Sequence, residues 1–201
     1  MKNTSKKFVN DLITKMWITR GSRFNAYRRL KNRSSLSIVT ITLFSVLILM
    51  VSIASRFQNL SLSFGRSDSL DYLLVSLTVI LLVLSILENG QNYMLRADRL
   101  FQSANDISEQ YDELRNRASG NKSISASYFK QKVNAYYAIL RRCPENHEPL
   151  DMFYFKANNP EEFKMNYAVK IYRTVSYYLF GYFLYWLLIV LEAVVIKVVF
   201  F

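Results

Sequence analysis

LSIVTITLFSVLILMVSIAS, residues Leu36–Ser55, is a run of twenty residues without a charged side chain, and Arg33 and Arg56 flank it. An α-helix needs about 20 apolar residues to cross about 30 Å of hydrocarbon, so this run has the length of one membrane span. A second apolar run, LDYLLVSLTVILLVLSIL at Leu70–Leu87, follows after a short polar connection. A buried helix of a soluble protein would keep a polar face, and the first run has no charged one. The two runs predict a transmembrane hairpin at residues 36–87.

Basic residues are distributed unevenly around this hairpin. Ten Lys/Arg and one acid precede Leu36, two Lys/Arg lie between the runs, and residues 88–173 hold thirteen Lys/Arg and eleven acids. Cytoplasmic segments of membrane proteins carry an excess of Lys and Arg. Residues 1–35 and 88–173 are therefore predicted to be cytoplasmic, in a multi-pass protein of the cell inner membrane. The first thirty residues show no signal-peptide pattern.

Residues 1–35 are predicted to contain a basic amphipathic helix, since apolar residues recur there at three- and four-residue steps. These residues are Phe8, Leu12, Ile13, Met16, Trp17, Phe24, Tyr27 and Leu30. Three interpretations stand. The helix lies on the anionic membrane surface, packs on the protein's own cytoplasmic helices, or contacts nucleic acid through its ten basic residues.

Residues 88–173 contain an unbroken heptad seam, typical of packed helices. Its positions are Tyr93, Ala97, Leu100, Ala104, Ile107, Tyr111, Leu114 and Ala118. After a break at Gly120 the spacing resumes at Phe129, Val133, Tyr136, Leu140 and Cys143. The pattern favours an antiparallel cytoplasmic helical hairpin, continuous with the second span, over an intermolecular coiled coil.

The C-terminal part is predicted to begin with a helix start at Pro160, with Asn159 as its cap and two acids in the first turn. Residues 174–201 are then almost wholly apolar and form a predicted hydrophobic helix. We favour a third transmembrane span over a helix lying in the membrane interface. The predicted fold class is an all-α membrane protein.

Few residues indicate catalysis or metal binding. The single cysteine, Cys143, excludes an internal disulfide and a multi-cysteine metal site. His147 has no histidine or cysteine at metal-ligand spacing, and its neighbourhood, Asn146–Asp151, is interpreted as a hydrogen-bonded structural element. We predict no enzyme activity, cofactor or metal.

Polar residues within the spans are the candidate functional residues. Ser45 and Ser52 on the first span, and Thr78 and Ser85 on the second, are each seven residues apart and form stripes. Such hydroxyls either bond the carbonyl four residues back or face partner helices or a water-filled path. Glu192 in the C-terminal helix costs about 2.5–3.5 kcal/mol if it lies centrally in the bilayer, so it should then face protein or water, or be protonated.

Four basic residues before the first span are predicted to form the cytoplasmic mouth of such a path. They are Arg28, Arg29, Lys31 and Arg33.

Two stretches resemble one protein family. WITRGSRFNAYRRL at Trp17–Leu30 resembles the basic helix of the SLATT family, which comprises prokaryotic two-transmembrane effector domains. NHEPLD at Asn146–Asp151, followed by Phe155 and Lys156, resembles its reverse-transcriptase-associated branch. The resemblance implies a membrane effector of anti-phage or conflict systems, which permeabilises the membrane when a partner senses infection. It supplies no catalytic residues, and a third span would exceed the two of the family's name.

Two functions follow. The first is an oligomeric, pore-forming effector, triggered by a cytoplasmic sensor such as a reverse transcriptase or a nucleotidyltransferase. The second is a membrane-anchored scaffold that recruits a cytoplasmic partner, such as a nucleic-acid enzyme, and conducts nothing.

Overall fold

The computed structural model describes residues 6–57, 67–120 and 124–200, except for the side chains of 55–57, 67–70 and 198–200. Most of the connection predicted between the spans, residues 56–69, lies outside this set. The described residues form seven α-helices, which confirms the all-α fold. They are α1 (Lys6–Phe57), α2 (Ser67–Gly90), α3 (Tyr93–Ser119), α4 (Ala126–Arg142), α5 (Pro149–Ala157), α6 (Tyr167–Gly181) and α7 (Phe183–Phe200).

The helices form two compact units. We call the described residues of Met1–Lys31 and Met94–Gly181 the head unit, and those of Asn32–Tyr93 and Tyr182–Phe201 the span unit. Helix α1 contributes to both, because its 52 residues run without a break from the basic segment into the first apolar run. At 1.5 Å per residue, α1 is about 78 Å long.

The core of the head unit confirms the heptad seam of α3. Six seam residues, Ala97, Leu100, Ala104, Ile107, Tyr111 and Leu114, are buried. Val9, Leu12 and Met16 of α1 join this core, together with Tyr136 and Ile139 of α4. The basic helix thus packs on the protein's own helices, as one interpretation predicted. Helices α3 and α4 pack as the predicted antiparallel hairpin, and α1 adds a third helix to their core.

The buried face of α4 differs slightly from the predicted one. Lys132, Tyr136 and Ile139 are buried, whereas Val133 and Leu140 are only partly buried. The Nζ atom of Lys132 contacts carboxylate and amide oxygens of α3, including Glu113, so a charged residue occupies an inward position.

The predicted helix start at Pro160 is wrong, since residues 160–164 form turns and α6 begins at Tyr167. The side chain of Asn159 donates back to the carbonyl oxygen of Phe155 at 2.8 Å and so does not cap a following helix. Lys164 then adopts a left-handed conformation, with φ of 45°, which a continuing α-helix does not accommodate. Helix α5, at Pro149–Ala157, was not predicted from the sequence.

The span unit has an apolar core. Phe44, Leu47 and Val51 of α1 pack with Leu77 of α2, and Val195 of α7 packs against them. Large apolar side chains cover much of the outside of these helices, as expected for a surface that meets lipid.

By length and composition, two stretches of helix can cross a membrane, Lys6–Ala54 and Asp71–Ser119. The second counts α2 and α3 together, which are separated only at residues 91–92, where Asn92 has a φ of 49°. Helices α6 and α7 form a bent pair that counts as a third span only when taken together. The predicted C-terminal helix, residues 174–201, is therefore interrupted at Tyr182.

Candidate functional site

The predicted polar stripes lie mainly on the outside of the span unit. Thr78, Ser85 and Ser52 are exposed, and Ser45 is half-buried. The hydroxyls of Thr78 and Ser45 each donate to the carbonyl oxygen four residues back, at 2.8 Å. This bond satisfies a hydroxyl within its own helix. In a single copy, these positions therefore belong to the surface of the unit and not to its core.

Glu192 is placed differently from the stripes. It is 9% exposed and lies on the same face of α7 as the buried residues Tyr185 and Leu188. Its Oε1 atom has no hydrogen-bond partner among the described residues. Tyr185, two helical turns earlier, donates to Oε2 of Glu88 at 2.6 Å. The interior of the span unit thus holds a carboxyl oxygen for which the described residues provide no hydrogen-bond partner.

The four basic residues predicted at the cytoplasmic mouth do not share one environment. Arg28 and Lys31 are exposed, and Arg33 is half-buried. Arg29 is only 1% exposed and is paired with a carboxylate inside the head unit. Its charge is neutralised there, so Arg29 does not belong to an exposed basic group.

Arg29 instead forms the centre of a buried ion-pair network. Its Nε donates to Oδ1 of Asp151 at 2.8 Å, and its Nη2 donates to Oδ2 at 2.9 Å. The same Nη2 lies 3.0 Å from Oε1 of Glu148. Asp151 is completely buried. Two parallel hydrogen bonds between guanidinium and carboxylate fix geometry as well as adding energy, so this pair holds α5 in one position on α1.

The sequence around Asp151 explains why α5 forms there. Glu148 is the N-cap, Pro149 opens the helix, and Asp151 occupies the third helical position. The backbone N–H of Glu148 donates to Oδ2 of Asp151 at 2.9 Å, which completes a capping box. Proline at the first position and an acid at the third are a known helix-start pattern. That pattern is the signal in the sequence from which α5 could have been predicted.

Two further residues extend the network to α6. Asn25 donates its side-chain amide to the carbonyl oxygen of Asp151 at 3.1 Å, and Tyr177 donates its hydroxyl to the carbonyl oxygen of Asn25 at 3.0 Å. We call Asn25, Arg29, Glu148, Asp151 and Tyr177 the α1 clamp. It grips α1 within the last turns before the span unit begins at Asn32.

An aromatic cluster supports the clamp one to three turns earlier on α1. Trp17 stacks on Phe163, with ring centroids 5.6 Å apart, and meets Phe155 edge-on at 4.9 Å. The ring of Phe155 occupies the space that a Cβ at residue 21 would need, so Gly21 permits this close approach. Gly21 therefore lies within the continuous helix α1, and its lack of a side chain allows Phe155 of α5 to pack closely against α1.

The electrostatics of the clamp favour its charged form. Burial alone lowers the pKa of Arg29, but the hydrogen bonds and negative charges of Asp151 and Glu148 outweigh it and raise the pKa above its ordinary value. Nearby His147 has a lowered pKa, because burial disfavours its charged form and the charge of Arg23 adds to this effect. The carboxylates of the clamp therefore favour the charged form of Arg29 in spite of its burial.

The α1 clamp is suited to holding helices together. The described residues contain no group of three His, Cys, Asp or Glu side chains placed to hold a metal ion.

A comparison with known protein families identifies the family of this chain. The model of "SMODS and SLOG-associating 2TM effector domain family 5" matches residues 5–198. The chain belongs to this family. The SLATT resemblance is thereby confirmed for nearly the whole chain, and the protein is a membrane effector domain with the transmembrane pair that α1 and α2 supply. The family's description names no reverse transcriptase, so an association with one stays a prediction. No curated protein and no solved structure matches this SLATT chain.

Proposed function

We propose that this SLATT protein is an oligomeric effector of a prokaryotic anti-phage or conflict system, which permeabilises the inner membrane when triggered. The single observation that carries the proposal is the outward position of Ser52, Thr78 and Ser85 on the span unit. The buried cluster of Phe44, Leu47, Val51 and Leu77 is apolar and offers no aqueous path between the helices that it joins. Several copies can enclose one, if their hydroxyl-bearing faces turn towards each other.

The outward hydroxyls are compatible both with an isolated copy in lipid and with an assembly of several copies. In an isolated copy, the self-bonded hydroxyls of Thr78 and Ser45 meet lipid at little cost. In an assembly, the same groups offer oxygens to water or to a neighbouring helix. The equilibrium between the two states is therefore open to control by a modest difference in free energy.

In the proposed topology the head unit is cytoplasmic. Ten Lys/Arg precede the first span and only two follow it before the second, and this imbalance supports the proposed orientation. The exposed Arg28 and Lys31, together with Arg33, would then lie at the cytoplasmic mouth of a path and favour anions.

Helix α7 is proposed as a third span that accompanies the two of the family. Tyr185, near its start, bonds Glu88 at the end of α2, while Val195 packs in the cluster of Val51 and Leu77. Helix α7 therefore runs alongside α2 in the opposite direction. Its 18 residues extend about 27 Å, close to the thickness of the hydrocarbon core. A helix lying flat in the interface would not make both contacts.

The α1 clamp supplies the proposed route from trigger to membrane. Because α1 is one uninterrupted helix, a change at Arg29 or Asp151 acts on the helix that continues into the first span. A sensor such as a reverse transcriptase or a nucleotidyltransferase is the proposed source of the signal.

Dye efflux from liposomes tests the proposal. The variant Thr78→Leu/Ser85→Leu replaces both hydroxyls on one face of α2 and should suppress efflux while leaving insertion intact, since leucine favours lipid. Ser76→Leu is the matched control, because Ser76 is also exposed and self-bonded but lies on the opposite face of the helix. Ser76→Leu should leak like the parent.

Equal efflux from the double variant and the parent would show that this face lines no path. A parent that stays sealed in the presence of its triggering partner would replace the effector with the scaffold that recruits a cytoplasmic protein and conducts nothing.

A further inference from the structure

Helix α6 of the head unit has its polar and apolar sides reversed relative to a helix that faces water. Its inward side carries Tyr177 and Gly181, which are buried, and Lys170 and Thr174, which are half-buried. The ring of Tyr177 stacks on that of Tyr154 in α5, with the ring centroids 4.0 Å apart. Polar, small and aromatic residues thus occupy the positions that apolar side chains fill in an ordinary surface helix.

The outward side of α6 is apolar. Four exposed residues form a stripe along it at steps of four, three and four; they are Ala168, Tyr172, Val175 and Leu179. Tyr172 is 71% exposed and Val175 is 54% exposed. Large side chains on the flanks of the stripe are exposed as well; they are Tyr167, Ile171, Tyr178 and Phe180. We call these eight residues the α6 apolar face. Contiguous apolar surface on a folded unit marks a site of contact with a protein or a membrane.

Helix α3 of the same unit has the opposite arrangement. Its outward positions at the same spacing are all polar and exposed; they are Asn105, Glu109, Asp112 and Asn116. The apolar residues of α3 point inward and form part of the core of the head unit. The outward side of α3 is therefore suited to water, whereas the outward side of α6 is suited to an apolar environment.

The position of α6 in the chain indicates that lipid covers the α6 apolar face. Only Tyr182 separates α6 from α7, so the end of α6 lies within about 8 Å of the start of α7. Exposed apolar residues continue along the chain into α7, with Phe183, Trp186 and Leu187 in its first turns. Tyrosine and tryptophan are enriched where membrane proteins meet the boundary between lipid and water, and the α6 apolar face contains three tyrosines.

The charges along this part of the chain complement an anionic surface. Residues 163–191 contain Lys164, Lys170 and Arg173 and no aspartate or glutamate. None of these three basic residues takes part in an ion pair among the described residues. The guanidinium of Arg173 lies over the ring of Phe153, 5.1 Å from its centroid, and this contact does not neutralise its charge. Long basic side chains can cover apolar surface with their methylene groups while the charged end reaches lipid phosphates.

We propose that α6 lies along the membrane surface, with the α6 apolar face in the interfacial layer and with Lys170 and Arg173 at the phosphates of anionic lipids. Apolar and aromatic residues on one side, with basic residues beside them, are typical of helices that lie in this layer. A second copy that met α6 through the same face would bring like charges together, which is unfavourable. The proposal does not depend on permeabilisation, because the lipid contact of α6 is measured without dye efflux.

Depth-dependent fluorescence quenching tests the proposal on the full chain in vesicles of phosphatidylcholine and phosphatidylglycerol. Tyr172→Cys in a Cys143→Ser background carries a fluorescent label. The quenchers are iodide in the water and lipids that bear a nitroxide either near the headgroup or near the end of the acyl chain. The label at residue 172 should be quenched most by the shallow nitroxide, at a depth of about 5–10 Å into the boundary between headgroups and acyl chains. Asn116→Cys, on the outward side of α3, is the control and should be quenched by iodide.

Three results at residue 172 would overturn the proposal. Quenching by iodide as strong as at residue 116 would place the outward side of α6 in water. Strongest quenching by the deep nitroxide would make α6 part of a transmembrane span. Protection from all of the quenchers would assign the α6 apolar face to a protein contact, such as one with a second copy.

Lys170→Gln/Arg173→Gln tests the role of the basic side chains in the same labelled protein. Each basic residue near an anionic surface changes a binding equilibrium by about fivefold. The double variant should therefore lower the ratio of lipid-quenched to iodide-quenched label by about fivefold or more. Arg141→Gln/Arg142→Gln removes the same charge from exposed positions at the end of α4 and should behave like the parent. Equal ratios in Lys170→Gln/Arg173→Gln and in the parent would overturn the assignment to anionic lipid.

Discussion

Two stretches of α1, one in each unit, are buried by different kinds of contact. In the head unit, α1 buries Arg23, Asn25 and Arg29, and the side chains of these residues contact Ser103 of α3 and Asp151 of α5. In the span unit, the same helix buries Phe44, Leu47 and Val51 against apolar neighbours. One helix therefore carries the α1 clamp near residue 29 and an apolar contact around residues 44–51. The clamp fixes position through paired charges and directional hydrogen bonds, whereas contacts between apolar side chains are not directional.

This contrast suggests where control resides. Helices in a membrane lack a strong hydrophobic force between them, so packing and hydrogen bonds such as that from Tyr185 to Glu88 hold the span unit in one arrangement. The head unit, by contrast, has a core that is stabilised by the hydrophobic effect, and it also contains the α1 clamp. Damage to the head unit should therefore release the span helices without unfolding them, which the following substitutions test.

Leu114→Asp should produce the largest effect, because Leu114 is completely buried in the head core. A charge at this position has no partner, and we expect destabilisation of the head unit by more than about 4 kcal/mol. Limited proteolysis should cut the head while the membrane helices stay protected. Asn116→Asp makes the same charge change at an exposed position on α3 and should resist proteolysis like the parent. Unchanged resistance of Leu114→Asp would contradict the described packing.

Asp151→Asn should be next in size, at about 3–5 kcal/mol, since it leaves Arg29 buried with only the half-exposed Glu148. Asp112→Asn is the control, because it breaks an exposed pair with Arg20 at 3.7 Å and should cost at most about 1 kcal/mol. Adding Arg29→Met to Asp151→Asn should recover part of the loss. Denaturant unfolding measures all three variants. Equal costs for Asp151→Asn and Asp112→Asn would mean that the clamp is not the strong contact on α1.

Gly21→Ala should have a smaller effect, about 1–3 kcal/mol of destabilisation, because the added methyl group meets the ring of Phe155. Gly90→Ala is the matched substitution in the span unit, where an added Cβ meets nothing within 4 Å, and it should be neutral or slightly stabilising. The unfolding midpoint of each variant gives the comparison. If both glycines tolerate alanine equally, α5 does not lie against α1 as described.

Changing the pH should give the smallest effect. The pKa of His147 is lowered in the folded protein. When the pH falls below the ordinary histidine pKa of 6.5, the unfolded chain therefore binds a proton more readily than the folded chain does. This contribution to stability is present above pH 6.5 and is lost as the pH falls. Between pH 7.5 and 5.5 the parent should lose more stability than His147→Asn, by less than about 1.4 kcal/mol. As His147 is the only histidine, identical pH profiles would contradict its burial.

The sequence was sufficient wherever apolar periodicity alone determines packing. The spacing of Leu100, Ile107 and Leu114 predicted the buried face of α3, and the charge-free run at residues 36–55 predicted the first candidate span. Both predictions depend on one property, the preference of apolar side chains for an apolar environment.

The sequence was insufficient where polar residues satisfy each other. Arg29 was predicted at an exposed mouth because hydropathy gives arginine one value, whereas Asp151, 122 residues away, makes its burial favourable. The break at Tyr182 was missed because apolar residues continue on both sides of it. Such features depend on contacts distant in the chain, which periodicity does not contain.

Cross-linking between copies tests the central claim most directly, namely that the outward hydroxyl face of α2 meets another copy in the leaking state. Thr78→Cys is introduced into a Cys143→Ser background, reconstituted in liposomes that release dye, and oxidised. We expect covalent dimers through residue 78, whereas Ser76→Cys, on the opposite face of α2, should stay monomeric. Monomers alone at residue 78 during efflux, or cross-links at residue 76 instead, would contradict the account.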